Sequence, residues 1–131
     1  MAERKGPYRR GRGRRRGKMR RVRRFLEPCL LLLLRQGESH GYKLVTELER
    51  FGFDLQRLDP SLVYRALRDM EDMAWIRSRH EEDSQGPPRR VYELAPEGEI
   101  QLEAWVEDLR RTRGEIGLLL EAYDKNGTDD K

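Results

Sequence analysis

The chain has 131 residues and a formal net charge of +4, but that sum conceals two oppositely charged parts. Thirteen of the 24 residues before Phe25 are Arg or Lys against one acid, Glu3, whereas the other 107 residues carry 15 bases and 23 acids. Six arginines between Arg9 and Arg16 have nothing to bury, repel one another and gain counterion-release free energy along a polyphosphate, so nucleic acid is the first expected partner and a solubility tail the bland alternative.

Residues 1–24 therefore read as a disordered Arg-rich arm, and roughly 105 residues remain for one small domain. Cys29 is the only cysteine, which excludes an intrachain disulfide and a cysteine metal cluster and suits a cytoplasmic, nucleoid-associated protein. The apolar run Leu30 to Leu34 is too short to cross a bilayer, and it ends at Arg35 without the small-residue site of a signal peptide. No membrane partner is expected.

Phe25, Leu26, Cys29, Leu30, Leu33 and Leu34 recur at three- and four-residue spacing on one face of a first helix, which Leu31 and Leu32 widen. Gln36-Gly37-Glu38-Ser39 ends it. Tyr42, Leu44, Val45, Leu48 and Phe51 predict a second helix from about Gly41 to Arg50, stopped by Gly52. Asp59-Pro60 starts a third, to about Met73, because Asp caps free backbone donors and Pro fits the first turn. Its inward set is Leu62 or Val63, Ala66, Leu67, Met70 and Met73, and its outward set includes Ser61, Tyr64, Arg65, Arg68 and Glu71.

Trp75 to His80 reads as a strand, Asp83 to Pro87 as a turn and Arg89 to Leu94 as a returning strand with Tyr92 and Leu94 inward. Pro96-Glu97 opens a last helix over 97–125, and residues 126–131 form a polar tail expected to fray. Three helices followed by a hairpin, within 25–96, is the order of a winged helix-turn-helix: a mainly α fold with a small β-hairpin and a long C-terminal helix. Such domains place the third helix in the major groove of DNA while the hairpin crosses phosphates or the minor groove. Arg65, Arg68, Arg89 and Arg90 favour that use over a winged-helix protein-interaction module.

Two stretches narrow the reading. The Leu-rich helix followed by Ser39-His40-Gly41-Tyr42, and the run Leu62-Val63-Tyr64-Arg65-Ala66-Leu67-Arg68-Asp69-Met70-Glu71 with Gly86-Pro87-Pro88-Arg89-Arg90-Val91-Tyr92-Glu93-Leu94 after it, resemble the PadR family of transcription regulators. The resemblance covers about Phe25 to Tyr123 and leaves the arm outside. The single C-terminal helix is similar to the short subgroup, and the Phe-Leu-x-Pro opening with Phe51-Gly52-Phe53 is more weakly similar to regulators described as polyhydroxybutyrate-responsive repressors. The chain departs from the common pattern at Met73-Ala74, where a Gly often ends the recognition helix, and at Ala95, where Thr usually caps the last helix.

The hydroxyl of Tyr64 can donate to a phosphate while its ring leans on the first turn of its own helix, and the resemblance implies a contact to the DNA backbone; a tyrosine closing the edge of the core is the alternative. Ser61 and Arg65 stand at the helix N-terminus where side chains reach base edges, Arg pairing bidentately with guanine, Leu62 is counted with them as DNA-binding, and Arg68 suits a phosphate. Arg89 and Arg90 follow the stiff Pro87-Pro88, and because strand side chains alternate they cannot point the same way; Arg89 is the expected phosphate contact and Arg90 the partner of Glu81 or Glu82. Arg12 and Arg14 of the arm suit phosphates or the minor groove, and neutralising six to ten phosphates makes affinity fall by roughly 10³–10⁵ between low and moderate salt. RNA is another possible target of the arm.

His40 and His80 lack the spacing of a metal pair, so no metal, cofactor or enzymatic site is expected and His40 is assigned a hydrogen-bonding role in its turn. A homodimer is expected through Leu26, Leu30, Leu102, Trp105, Val106, Leu109, Ile116, Leu120 and Tyr123, since one winged unit offers no second layer for the last helix. The resemblance also implies that a planar hydrophobic effector could be received at Trp105, Phe25 and Leu109. The function read from all this is a sequence-specific double-stranded DNA-binding regulator, a dimeric repressor at an inverted repeat. A nonspecific architectural nucleic-acid-binding protein is the alternative.

Overall fold

The computed structural model describes residues 25–81 and 89–129, the last three of these as backbone only. The elements are helix α1 (25–35), strand β1 (Ser39–His40), helix α2 (Gly41–Glu47) with a 3₁₀ turn Leu48–Phe51, helix α3 (Pro60–Asp72), strands β2 (Ile76–Glu81) and β3 (Arg89–Leu94), and helix α4 (Pro96–Asp129). This is the winged helix-turn-helix order with a long C-terminal helix. The expected turn at 83–87, the Pro87-Pro88 lead and Glu82 lie outside the described residues, as do Arg12 and Arg14.

α1 is the spine of the core. Leu26, Cys29, Leu30, Leu31, Leu33 and Leu34 are buried against Leu44 and Leu48, against Val63, Ala66, Leu67 and Met70 of α3, and against Ile76, Tyr92 and Leu102. Burial pushes the Cys29 thiol up to about 12, so it stays protonated and behaves as a small apolar side chain. Gly52 ends the 3₁₀ turn in the left-handed region at φ 90°, where a glycine carries no Cβ penalty.

α3 starts where the sequence places it: Asp59 Oδ1 accepts from the Ser61 backbone N–H at 3.0 Å, with Pro60 in the first turn. Val63, not Leu62, is the fully buried member of its first turn, and Met73 is 58% exposed rather than inward. The reason is the way the helix stops. Ala74 takes φ 67°, its N–H bonds to the Glu71 carbonyl at 3.0 Å and the Trp75 N–H to the Met70 carbonyl at 3.0 Å. That paired arrangement turns the chain immediately after Met73, the cap residue of α3, with an alanine where glycine is usual.

The sheet is three-stranded and antiparallel in the order β1-β3-β2. The hairpin registers are Ser78 opposite Tyr92, His80 opposite Arg90 and Glu81 opposite Arg89, while β1 adds Ser39 opposite Tyr92 and His40 opposite Val91. β1 replaces a stretch expected to be only a helix end, and it makes β3 central, so Val91 is buried as well as Tyr92. Leu94 is half-buried.

α4 runs to Asp129, so the stretch from 126 expected to fray is helical that far. Its first turn is docked closely: the Ala95 N–H donates to the Trp75 carbonyl at 2.9 Å, and a Cβ on Gly98 would meet that same carbonyl and come within 2.7 Å of Leu94 Cδ1. Arg35 Nε pairs with Glu99 Oε2 at 3.2 Å, and the Trp75 and Trp105 rings meet edge-on at 5.3 Å. Beyond Val106 every described side chain to residue 126 is exposed except that of Thr112, which is partly so.

Candidate nucleic-acid interface

Ser61, Tyr64, Arg65 and Arg68 are all exposed, and their spacing puts them along one side of α3 opposite the buried Val63, Ala66, Leu67 and Met70. Leu62 is half-buried beside them. Tyr64 is 39% exposed and its ring lies against Gly41, where an added Cβ would come within 2.6 Å of Cε1. The ring therefore leans on the first turn of α2 rather than on that of its own helix, and position 41 has to be glycine for the ring to stay there.

Strand alternation separates the two wing arginines. Arg90 shares a face with Ser78, His80 and Tyr92; Arg89 shares the other with Glu81, Arg79 and Val91. On the first face Arg90 Nη1 donates to Ser78 Oγ at 2.7 Å, and Ser78 Oγ donates to Glu71 Oε2 at 2.6 Å. Arg90 Nη2 also lies 2.9 Å from His80 Nε2; a guanidinium can only donate, so that nitrogen accepts and the imidazole proton sits on Nδ1. Glu71 at the end of α3 is thus linked through Ser78 to Arg90 of the wing, so this chain of bonds joins α3 to the hairpin. Burial pushes the Tyr92 phenol beside it above its ordinary value, against the opposing pull of Arg90.

Arg90 therefore does not pair with Glu81. That carboxylate takes a bond from His40 Nε2 at 2.7 Å, so His40 does make a hydrogen bond, but to a partner 41 positions away rather than within its own turn. Arg89 turns instead to Tyr42: its guanidinium carbon lies 5.7 Å from the ring centroid and Nη1 is 3.4 Å from the hydroxyl. Tyr42, expected on the inner side of α2, is 55% exposed. Arg79 makes a two-pronged pair with Glu38 at 3.1 and 2.9 Å, and its hydrogen bonds and charge hold the Glu38 carboxyl below its ordinary value. These wing-base contacts were not legible in advance, because each joins residues far apart in the chain; the only local signal was the His40-Gly41-Tyr42 run itself.

The other expected sites divide differently. Leu26 and Leu30 are 0% exposed and Leu102 is 3% exposed, all inside the chain's own core, so these three have no surface left for a second subunit. Leu109, Ile116, Leu120 and Tyr123 are exposed, while Trp105 and Val106 are half-buried. Phe25 stacks on Phe53 at 5.7 Å. A surface cleft of about 360 Å³ is lined by Glu27, Asp69, Asp72, Met73 and Trp75, not by Trp105, Phe25 or Leu109. Among the described residues no group of His, Cys, Asp and Glu is placed to hold a metal, and no helix is long and apolar enough to cross a membrane.

The sequence model of the family described as "Transcriptional regulator PadR-like family" matches residues 30–104. Among solved structures, a PadR-like transcriptional regulator from Bacillus cereus strain ATCC 14579 is similar at 28% identity and a TM-score of 0.66, over 77% of this chain and 96% of that one. A PadR-like transcription factor from Bacteroides fragilis is similar at 25% identity and a TM-score of 0.63, over 77% of this chain and 98% of that one. Bacillus subtilis PadR in complex with operator DNA is similar at 25% identity and a TM-score of 0.56, over 63% of this chain and 46% of that one. No curated protein sequence matches the chain.

Proposed function

The chain belongs to the PadR-like family of transcriptional regulators and is a DNA-binding regulator, and from that premise we propose that it acts as a dimeric, sequence-specific repressor at an inverted-repeat operator. The observation that carries this reading is the exposed row Ser61, Tyr64, Arg65 and Arg68 on a helix tied through Ser78 to a wing that bears Arg89. Ser61, Leu62 and Arg65, nearest the N-terminus of α3, face base edges; Tyr64, Arg68 and Arg89 face the sugar-phosphate backbone. Arg90, engaged with Ser78 and His80, braces the wing and meets DNA only at its outer edge. Arg12 and Arg14 add arm contacts to phosphates or the minor groove. The structure of a similar PadR with operator DNA supports a DNA target of this kind.

Dimerisation rests on the distal part of α4, residues 107–126, a rod of roughly 30 Å whose Leu109, Ile116, Leu120 and Tyr123 lie bare in the single chain. Two copies joined there present their recognition helices about 34–36 Å apart, one turn of DNA. Sedimentation equilibrium showing a monomer at tens of micromolar sinks the dimer. A planar hydrophobic effector is received on the Trp105 side, next to Leu109; titration of tryptophan fluorescence is expected to give saturable quenching that Trp105→Leu abolishes while DNA binding persists.

The deciding experiment is selection of bound fragments from genomic DNA by the full chain, with an enriched inverted repeat as the expected result. On that site Arg65→Ala is expected to lower the ratio of operator to scrambled-DNA affinity by roughly 10-fold, the loss of one bidentate base contact, and by more than removal of the arm does. Arg68→Ala is expected to weaken both DNAs alike. Equal affinity for scrambled DNA replaces the repressor with an architectural nucleic-acid-binding protein. Absence of duplex binding at low salt replaces it with a protein-interaction module.

A further inference from the structure

Tyr42 is more highly organised than an exposed tyrosine at the start of a short helix needs to be. One face of its ring carries the Arg89 guanidinium at 5.7 Å, within cation–π distance, and its hydroxyl meets Arg89 Nη1 at 3.4 Å. The His40 ring stands against it at 5.6 Å and 31°. His40 is fixed in turn, by pairing with Val91 in the sheet and by its 2.7 Å bond to Glu81 Oε1. Glu81 is the cross-strand partner of Arg89 and the acid that alternation places on the same face. With that carboxylate bonded to His40, the Arg89 guanidinium rests on an aromatic ring.

An arginine on a strand near a hairpin tip has four rotatable bonds to order before it can grip a phosphate, and a pre-set orientation removes part of that loss. A tyrosine face does this without cancelling the charge, whereas a carboxylate partner would compete with the phosphate. We infer that Tyr42 is a positioning residue for DNA binding: its ring and hydroxyl hold the Arg89 guanidinium ready for a DNA phosphate, with the His40 ring, itself bonded to Glu81, packed against the tyrosine. The inference rests on the reading of Arg89 as a phosphate contact given above. It also explains why the His40-Gly41-Tyr42 run is compact: His40 locks the shelf, Gly41 makes room for Tyr64, and Tyr42 carries Arg89.

The test uses the full chain and a duplex bearing the selected repeat, with affinity read by fluorescence anisotropy for Tyr42→Leu, Tyr42→Phe, Arg89→Ala and the Tyr42→Leu/Arg89→Ala pair. Arg89→Ala is expected to weaken binding by roughly 3- to 10-fold and to make the salt dependence shallower by about one counterion. Tyr42→Leu is expected to lose most of that factor, Tyr42→Phe to restore the larger share, and the double variant to bind no more weakly than Arg89→Ala alone. Melting temperatures check folding; Tyr42→Gln replaces the Leu variant if that one is disturbed and is read in the same way. Native-like binding by the Tyr42 variant, or losses that multiply independently in the double variant, overturns the shelf while leaving Arg89 as a phosphate contact. No loss in Arg89→Ala overturns both.

Discussion

The first turns of α4 and the turns beyond Val106 carry one apolar stripe at one spacing, yet Leu102 is 3% exposed while Ile116 and Leu120 are each 53% exposed. The proximal part is locked by its own chain, through the Ala95 bond to Trp75, the close approach of Gly98 to the same carbonyl, the Arg35–Glu99 pair and the Trp75–Trp105 contact. The distal part has the same pattern, and among the described residues nothing covers it. A helical stripe therefore states only that a face seeks apolar company; whether that company is the same chain depends on where the neighbouring elements end.

The largest expected effect comes from the locked part. Leu102→Ala should lower stability by about 2–5 kcal/mol, the cost of emptying a buried leucine site, and by an amount independent of protein concentration in denaturant titrations. Gly98→Ala should cost about 3 kcal/mol, because the new methyl meets backbone and cannot be relieved by a side chain moving aside. A melting temperature within a degree of the native protein's would show that α4 is not held at this point.

Ile116→Glu, in the bare part, sharpens the comparison. Ile116 is exposed among the described residues, so a monomeric unit should melt as the native monomer does, while the concentration dependence of the melting temperature and the dimer peak in sedimentation should both disappear. An unchanged sedimentation profile would place the dimer contact elsewhere.

Ala74→Gly tests the stop of α3, which leads the chain from that helix into Trp75 and the wing. Relief of a left-handed alanine at φ 67° should raise stability by up to about 1 kcal/mol, measured by denaturant midpoint, less the greater freedom glycine has when unfolded.

The smallest effect is a pH dependence. Asp59 is held below its ordinary value first by the backbone hydrogen bond from Ser61, and Glu38 first by its hydrogen bond from Arg79. A carboxyl depressed in the folded state contributes stability above its unfolded value and loses it as pH falls through the folded one, so the loss should appear on acidification below about pH 4. Asp59→Asn keeps the cap but cannot titrate, and should flatten the corresponding part of the melting-temperature curve between pH 7 and 3. Both groups are exposed, and added salt should shrink the Glu38–Arg79 part further.

What the sequence alone determined is what local physics writes into neighbouring residues. The leucine spacing of α1, the Asp59-Pro60 start of α3, the glycine stop at Gly52 and the bounds of β3 all follow from periodicity, capping and backbone permission. Arg89 and Arg90 had to face opposite ways because strand side chains alternate. Only the tertiary structure decided where those elements meet. A two-residue strand such as Ser39–His40 has no period to detect, and it exists because β3 supplies its partner. Leu26, Leu30 and Leu102 carry the same signature whether they cover their own core or a second copy, so their burial inside the chain was a matter of packing. Tyr42 is apolar enough to count as core, yet the start of α2 directly after β1 leaves it exposed beside the wing, and Glu71, Ser78 and Arg90 became one hydrogen-bonded line only when α3 and the hairpin were brought together. Side-chain partners separated by tens of residues leave no trace in local spacing, because the free energy that selects them arises only after the core has closed.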